Sequence, residues 1–435
     1  MKRIQALDIL RGIAMLGLVF MHAVEKVGHY TVVGDIWNQP WYIFLPVGLI
    51  MYFASWRGLF LMISGAGSAY SFQKAVEKGT SPHILLVRRL CWSILLFFHG
   101  IFIQVFWNPY YGLYYVFQGG TGSSVWNLAG LQFSDAVQTI AVSLFISSII
   151  QYLYVIGKEP NKIWLTVAMF LYLTFVVFGL KNYVIHGILD RFPWQQYVAL
   201  DNPRDRMLWM ALAILIGEQE PLFPYMASFF IGCAIGLFLT YNHITKKKTL
   251  IVGYSSGLAF IFVAMLVGAF KDNFSVNFGI IPNDWFLYLA TGTQLWVITS
   301  FLWIFDFSKK AQKLTKYTKT IRKAGILSLT IFTFQSLDFF PRRFLTFISQ
   351  VFGAGTNFVS NGGHLSMGNS FITGFVVLVF WIVLILIWGL INYALTVDWL
   401  FEILRQLISW QKINWKDPLQ SRDIIYKSEI VFFAK

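Results

Sequence analysis

Arg3-Ile4-Gln5-Ala6-Leu7-Asp8-Ile9-Leu10-Arg11-Gly12-Ile13-Ala14-Met15-Leu16-Gly17-Leu18-Val19-Phe20-Met21-His22 takes an acid, a guanidinium and an imidazole into one apolar run. Ionisable groups inside a membrane span cost roughly 2.5 to 3.5 kcal/mol each on insertion scales, so Asp8, Arg11 and His22 on one helix need partners or a purpose. Eleven residues at 100° each return to within about 20° of the starting direction while climbing roughly 16 Å, so Arg11 and His22 share a helix face. Asp8 lies one turn before Arg11, and Met15 and Leu18 fill the gap at the spacing by which helical neighbours meet. The face is a ladder of acid, guanidinium, apolar filler and imidazole. One reading makes Asp8 and Arg11 an orientation-setting ion pair and His22 a hydrogen-bonded packing residue; the other makes the array a working edge.

The rest of the chain places that helix among many like it. Of 435 residues, 57% are hydrophobic, 18% aromatic and only 12% charged, with a mean hydropathy of +0.61, which excludes an ordinary soluble domain. The composition predicts an all-α, polytopic integral membrane helix bundle. Lys2 and Arg3 ahead of an apolar run resemble a signal peptide. Asp8 and Arg11 inside the run, and no convincing small-residue cleavage site, predict that the segment stays in the mature protein. The formal charge of +14 is spread over loops between apolar runs, which points to topology determinants near anionic lipid and not to nucleic acid. Cys91 and Cys233 lie in apolar stretches without metal or redox spacing and read as packing thiols.

Apolar runs of roughly 17 to 25 residues give about ten transmembrane helices, with short re-entrant or interfacial helices between them. The first runs from Ile9 to Val27. The second apolar segment, Trp41 to Phe72, is interrupted at Arg57-Gly58. Its end is dense in small residues, including Ser64 and Gly65, which let helices approach closely or form a wall beside a ligand's polar head. The third, Ile84 to Trp107, starts with Arg88-Arg89, whose paired guanidiniums either set orientation or recognise phosphate. The fourth is Leu128 to Tyr154 and the fifth Ile163 to Leu180, followed by a polar excursion from Lys181 to Glu220 around an apolar piece at Leu208 to Ile216. The sixth, Pro221 to Tyr241, carries Gly232 and Gly236 at small-xxx-small spacing. The seventh and eighth are Leu250 to Phe270 and Trp285 to Phe305. The ninth starts near Gly325 and holds Gln335, Ser336 and Asp338, and the tenth is Phe371 to Ala394. Residues 1–400 read as a single transmembrane domain and 401–435 as a cytoplasmic tail.

Ten spans put both termini on the side of the lysine-rich loops at Lys74/Lys78, Lys158/Lys162, Lys246 to Lys248 and Lys309 to Lys323. The positive-inside rule makes that side the cytoplasm of a cell-membrane protein. Arg191, Arg204, Arg206, Arg342 and Arg343 fall on the other side. Arg11 then lies near the inner face and His22 towards the outer half.

A basic inner residue, a deep histidine and an outward polar vestibule suit transfer from a cytoplasmic donor to an external acceptor. Histidine can take a hydroxyl or amine proton during attack on a thioester, or carry the acyl group itself. The opening Arg3-Ile4, Leu7-Asp8, Leu10-Arg11-Gly12 and His22 resembles the signature of the transmembrane acyltransferase superfamily. That superfamily includes acyltransferase-3 proteins, heparan-alpha-glucosaminide N-acetyltransferases and YeiB-type membrane proteins. Leu59 to Gly65 with Ser71-Phe72, Arg88-Arg89-Leu90, and Ala324 to Thr330 with Gln335-Ser336 are similar to the last two branches. This chain has Ile326 and Ile331-Phe332 where the related pattern carries Arg and Asn-Tyr.

The resemblance implies an acetyl-CoA-dependent O- or N-acetyltransferase that modifies a glycan. An acyl group, commonly acetyl, would pass from cytoplasmic acyl-CoA to an extracytoplasmic sugar or glycan acceptor. His22 would be the catalytic base or acyl carrier, Arg11 would order the site or the donor, and Asp8 would hold Arg11. Arg88 and Arg89, with Ser64 and Gly65, would lie on the acyl-CoA side. The implied partners are acyl-CoA, the acceptor, the lipid bilayer and a second copy in a homo-oligomer. The seven histidines are scattered and no His/Asp/Glu set has metal-ligand spacing. Two rivals use the same residues: a proton-coupled small-solute or lipid-linked transporter, against which the absence of paired helix breaks counts, and a non-catalytic membrane scaffold in which His22 only packs.

Overall fold

A computed structural model describes residues 4–28, 57–106, 136–157, 163–189, 211–216, 220–241, 245–274, 283–308, 316–359 and 365–408, together with 40, 41, 48, 52, 314, 412–415 and 418–419. Among them regular structure is helical. In chain order the helices are α1 (Gln5–Val27), α2 (Arg57–Glu77), α3 (Pro82–Phe106), α4 (Ala136–Ile156), α5 (Ile163–Leu189), α6 (Leu222–Phe238) and α7 (Lys246–Val267). They continue with α8 (Asp284–Phe301), α9 (Lys319–Ile326), α10 (Ser328–Thr333), α11 (Phe339–Val351), α12 (Met367–Leu390) and α13 (Val397–Ile408). Among the described residues seven helices are long and apolar enough to cross a membrane: α1, α3, α4, α5, α7, α8 and α12. The chain is an all-α, multi-pass membrane bundle. The loop at Asn108 to Asn127, Asp135, and the lysines at 158 and 162 lie outside the described residues.

The chain forms two compact units, one built from residues 1–56, 114–121 and 312–430 and the other from residues 57–113, 122–311 and 431–435. In the second unit α2 and α6 run side by side in close contact. A Cβ on Gly65 would collide with the Phe229 carbonyl, one on Gly232 with that of Met62, and one on Gly236 with that of Ala66. The small residues expected to pack tightly therefore do so, and the space beside Gly65 is filled by α6. Gly79, at φ +83°, ends α2: Gly79 N–H donates to Val76 O at 2.8 Å and Thr80 N–H to Ala75 O at 3.1 Å, the paired bonds of a glycine helix stop. Both cysteines are free, with Cys233 buried.

The fifth span differs from the sequence expectation. α5 continues past Leu180 to Leu189, so the first part of the expected polar excursion is helix. Lys181 stays in that helix because its ammonium donates to Asp284 at 2.6 Å, and the same carboxylate accepts from Asn182 at 2.8 Å. A buried cation with a close carboxylate does not have to leave the apolar layer.

In the first unit α1 packs against α9, α10 and α12. α1 ends at Gly28, whose N–H donates to Val24 O at 2.8 Å, and α12 starts at the Ser366 cap. The ninth apolar segment is interrupted. It starts earlier than Gly325, breaks at Leu327, restarts as α10, passes through a 3-10 turn at Gln335–Asp338 and resumes as α11. Pro341, within the first turn of α11, removes no intrahelical bond there. The predicted tail boundary at residue 400 falls inside α13, whose Phe401 and Ile403 are buried.

Candidate active site

The site is assembled on α1 where it crosses α9. A Cβ on Gly12 would collide with the Ile321 carbonyl, and one on Gly325 with the Asp8 carbonyl, so the two glycines bring the backbones into contact. Met15, fully buried, fills the stretch between Arg11 and His22. Since α1 is unbroken from Gln5 to Val27, Arg11 and His22 keep a common face, and both are half-buried.

At the N-terminal end of that face the structure adds partners that the sequence left unassigned. The Asp8 carboxylate acts electrostatically on the buried Arg322 of α9, and the Arg11 charge acts on Asp398 at the start of α13. Asp398 is a joint as well as a charge. Its carboxylate accepts from Thr330 N–H at 2.8 Å, Thr330 Oγ1 at 2.7 Å and Leu329 N–H at 3.4 Å, satisfying donors where α10 restarts. Thr330 Oγ1 accepts in return from Asp398 N–H at 3.2 Å. Burial pushes the Asp398 carboxyl up to about 6, against the opposing pull of those bonds and of Arg11.

At the other end α1 is cross-linked to the 3-10 turn. His22 Nδ1 lies 2.7 Å from Gln335 Oε1, and Lys26 Nζ, one turn later, donates to Asp338 Oδ2 at 2.9 Å. An amide oxygen only accepts, so Nδ1 carries the proton and the lone pair of the neutral ring sits on Nε2. Asp338 also stands 3.7 Å from the guanidinium of Arg342, which is fully buried and donates to Phe358 O at 2.9 Å and Val359 O at 2.7 Å. Beside Gln335, the Ser336 hydroxyl is buried without a hydrogen-bond partner among the described residues. A spacing of four on α1 thus meets a spacing of three on the turn, which fixes both the rotation of the helix and the tautomer of the ring.

No protein-family model matches the chain, and no curated protein matches it significantly. The site has to be read from its own chemistry.

The structure brings Asp8, Arg11 and His22 together with residues of the broken ninth segment. Gln335, Ser336 and Asp338 were visible in sequence as polar residues in an apolar segment, which was the signal available for them. Lys26 and Asp398 carried none, because each sits at the end of an apolar run, where charges are ordinary.

The other expected site residues lie in the second unit. Arg89 of α3 donates to the Ser68 hydroxyl, to Ser68 O at 2.5 Å and to Ser71 Oγ at 2.8 Å, with its guanidinium 5.0 Å from the centre of the Phe72 ring. Ser64 is one turn before Ser68 on the same face of α2, whereas Gly65 faces α6. Arg88, the next residue round α3, is half-buried. Among the described residues no group of three or more His, Cys, Asp or Glu side chains could hold a metal ion.

Proposed function

We propose that this protein is a membrane-embedded acyltransferase, moving an acetyl or related acyl group from cytoplasmic acyl-CoA to an extracytoplasmic sugar or glycan, with His22 as base or acyl carrier. The observation that carries the reading is the His22–Gln335 bond of 2.7 Å. It leaves the basic nitrogen of a neutral imidazole at Nε2 and holds the ring in one orientation. As base, His22 Nε2 takes the proton of the acceptor O–H or N–H while that atom bonds to the thioester carbonyl carbon. The C–S bond then breaks, and the departing coenzyme A thiolate receives the proton from the imidazolium. As carrier, Nε2 bonds to the thioester carbonyl carbon and the C–S bond breaks to release the coenzyme A thiolate; the acceptor O–H or N–H then bonds to that carbon as the Nε2–acyl bond breaks, and its proton passes to the thiolate. Arg11 orders the site and Asp8 holds Arg11, its negative charge also acting on Arg322.

In this reading Arg88, Arg89 and Ser64 belong to the acyl-CoA side, whereas Gly65, expected there from the sequence, packs against α6. The chain has ten spans, with α2, α6 and the broken α9 to α11 segment added to the seven long apolar helices. Both termini then share the cytoplasmic side with the lysine-rich loops. The test is purified protein in liposomes supplied with labelled acetyl-CoA and a panel of sugars. His22→Ala should lower transfer by about 10² to 10⁴, and Gln335→Leu, which removes one hydrogen bond, by about tenfold. Label retained on wild-type protein but not on His22→Ala would assign the carrier route. Transfer that is unchanged in His22→Ala would end the proposal.

The broken ninth segment favours a second reading, a proton-coupled small-solute transporter, since interrupted helices line transport sites. Uptake driven by a pH gradient, with no release of free coenzyme A, would select it.

A further inference from the structure

The hydrogen bonds of Arg89 leave its charge without a counter-ion among the described residues. It lies seven residues into a membrane-crossing helix, about 10 Å from its start, and every acceptor it meets among the described residues is neutral: Ser68 twice and Ser71 once. No carboxylate stands within ion-pair distance of it among those residues, although intramembrane guanidiniums are ordinarily paired. A guanidinium with five donors and neutral neighbours is half of a charge-assisted pair.

The helix opposite has the complementary deficit. α3 and α4 pack antiparallel: Tyr152 OH lies 2.7 Å from His83 Nδ1, and a Cβ on Gly100 would meet the Gln138 side chain. That register puts Arg89 level with Ser147, whose hydroxyl bonds the Cys233 thiol, which in turn feels the Arg89 charge. Helical side chains lean towards the helix N-terminus, so Arg89 leans towards the level of Gln151, one turn beyond Ser147 on the same face of α4. Gln151 is 2% exposed, yet among the described residues neither its amide nitrogen nor its amide oxygen has a hydrogen-bond partner, and the adjacent Ser148 hydroxyl, fully buried, has none there either. Buried polar atoms left unmet destabilise a fold, since they lose their bonds to water and gain none.

We infer that Arg89, Ser68, Ser71 and Gln151 form a site for a phosphoryl group, the guanidinium neutralising its charge and the Gln151 amide donating to its oxygens. This deepens the donor side of the acyltransferase reading, and rests on that reading only in naming coenzyme A as one source of the phosphoryl group. A lipid headgroup is the other. The site assigns the anion to the Ser68 and Ser71 face of α2, which meets Arg89, and not to the Gly65 face that α6 already fills.

The experiment uses the full chain in nanodiscs, with calorimetric titration of coenzyme A and, separately, of inorganic phosphate as a competitor. Native mass spectrometry of nanodiscs containing phosphatidylcholine with or without phosphatidylglycerol reports bound lipid. Binding of coenzyme A that phosphate weakens, and that Arg89→Lys and Gln151→Leu each reduce at least tenfold, supports the site with a soluble ligand. Retention of phosphatidylglycerol that depends on the same two residues supports it with a lipid. Arg89→Lys keeps the charge while losing the fork, so it remains usable if Arg89→Gln fails to fold. A purely structural Gln151 gives the opposite pattern: Gln151→Leu would raise the melting temperature and leave binding unchanged. That pattern, or absence of binding by both ligands to the wild type, overturns the inference. His22→Ala should bind coenzyme A like the wild type, so loss of transfer and loss of binding are separable.

Discussion

Stability of the first unit should fall as pH rises from about 4 to about 6, and Asp398 should be the reason. In the fold its carboxyl is pushed from an ordinary 3.8 up to about 6, with burial as the largest cause. An acid whose pKa is raised by folding binds its proton more tightly in the folded than in the unfolded state. The stabilisation is therefore complete below about pH 3.8 and is lost as pH rises through about 6. Two units correspond to about 3 kcal/mol. The residue keeps some solvent access, and screening lowers the expectation to about 2 kcal/mol. Asp398→Asn keeps an oxygen for the Thr330 N–H and removes the titration. Melts followed by tryptophan fluorescence, wild type against variant across that range, should coincide at the acid end and separate towards neutrality, with the variant higher. Arg11→Gln removes the charge that favours the ionised carboxylate, so its separation from the Asp398→Asn control should extend to higher pH. Parallel curves for wild type and Asp398→Asn, or a wild type that gains on the variant as pH rises, would refute the reasoning.

Four further outcomes follow, three of them from contacts at the same face. Gly12→Ala places a methyl against the Ile321 carbonyl, a backbone atom that cannot step aside, and should cost about 1 to 3 kcal/mol in thermal or denaturant unfolding; Gly353→Ala, whose Cβ would meet open space but whose φ is +73°, should cost about 1 kcal/mol through backbone strain alone. Asp338→Ala should be the severest change at the turn, since it strips the carboxylate from both Lys26 and the buried Arg342, with a loss of about 3 to 5 kcal/mol. Lys26→Met leaves Arg342 beside Asp338 and should cost less than half as much in the same unfolding assay; equal losses would mean that Asp338 serves Lys26 alone.

The all-α multi-pass membrane class and the common face of Arg11 and His22 were legible without coordinates; of the ten spans expected, seven are long apolar helices among the described residues. Hydropathy over roughly 20 residues and a rotation of 100° per residue are local properties of a helix. So were the tight-packing glycines: Gly232 and Gly236 announce a close helix neighbour, although not that the neighbour is α2. The extension of α5 to Leu189 was hidden because Lys181 reads as a loop charge until Asp284, 103 residues later, is seen to neutralise it.

The sequence alone determined that an acid, an arginine and a histidine enter the bilayer on one side of the first helix, because helical periodicity needs no partner to act. Only the tertiary structure decided what they meet: Gln335 at His22, Asp338 at Lys26, Arg322 at Asp8 and Asp398 at Arg11. Those partners lie more than 300 residues away along the chain, and a hydrogen bond or charge pair is set by distance in space, which the packing of α1 against the broken ninth segment, with α13 held to that segment through Asp398, supplies.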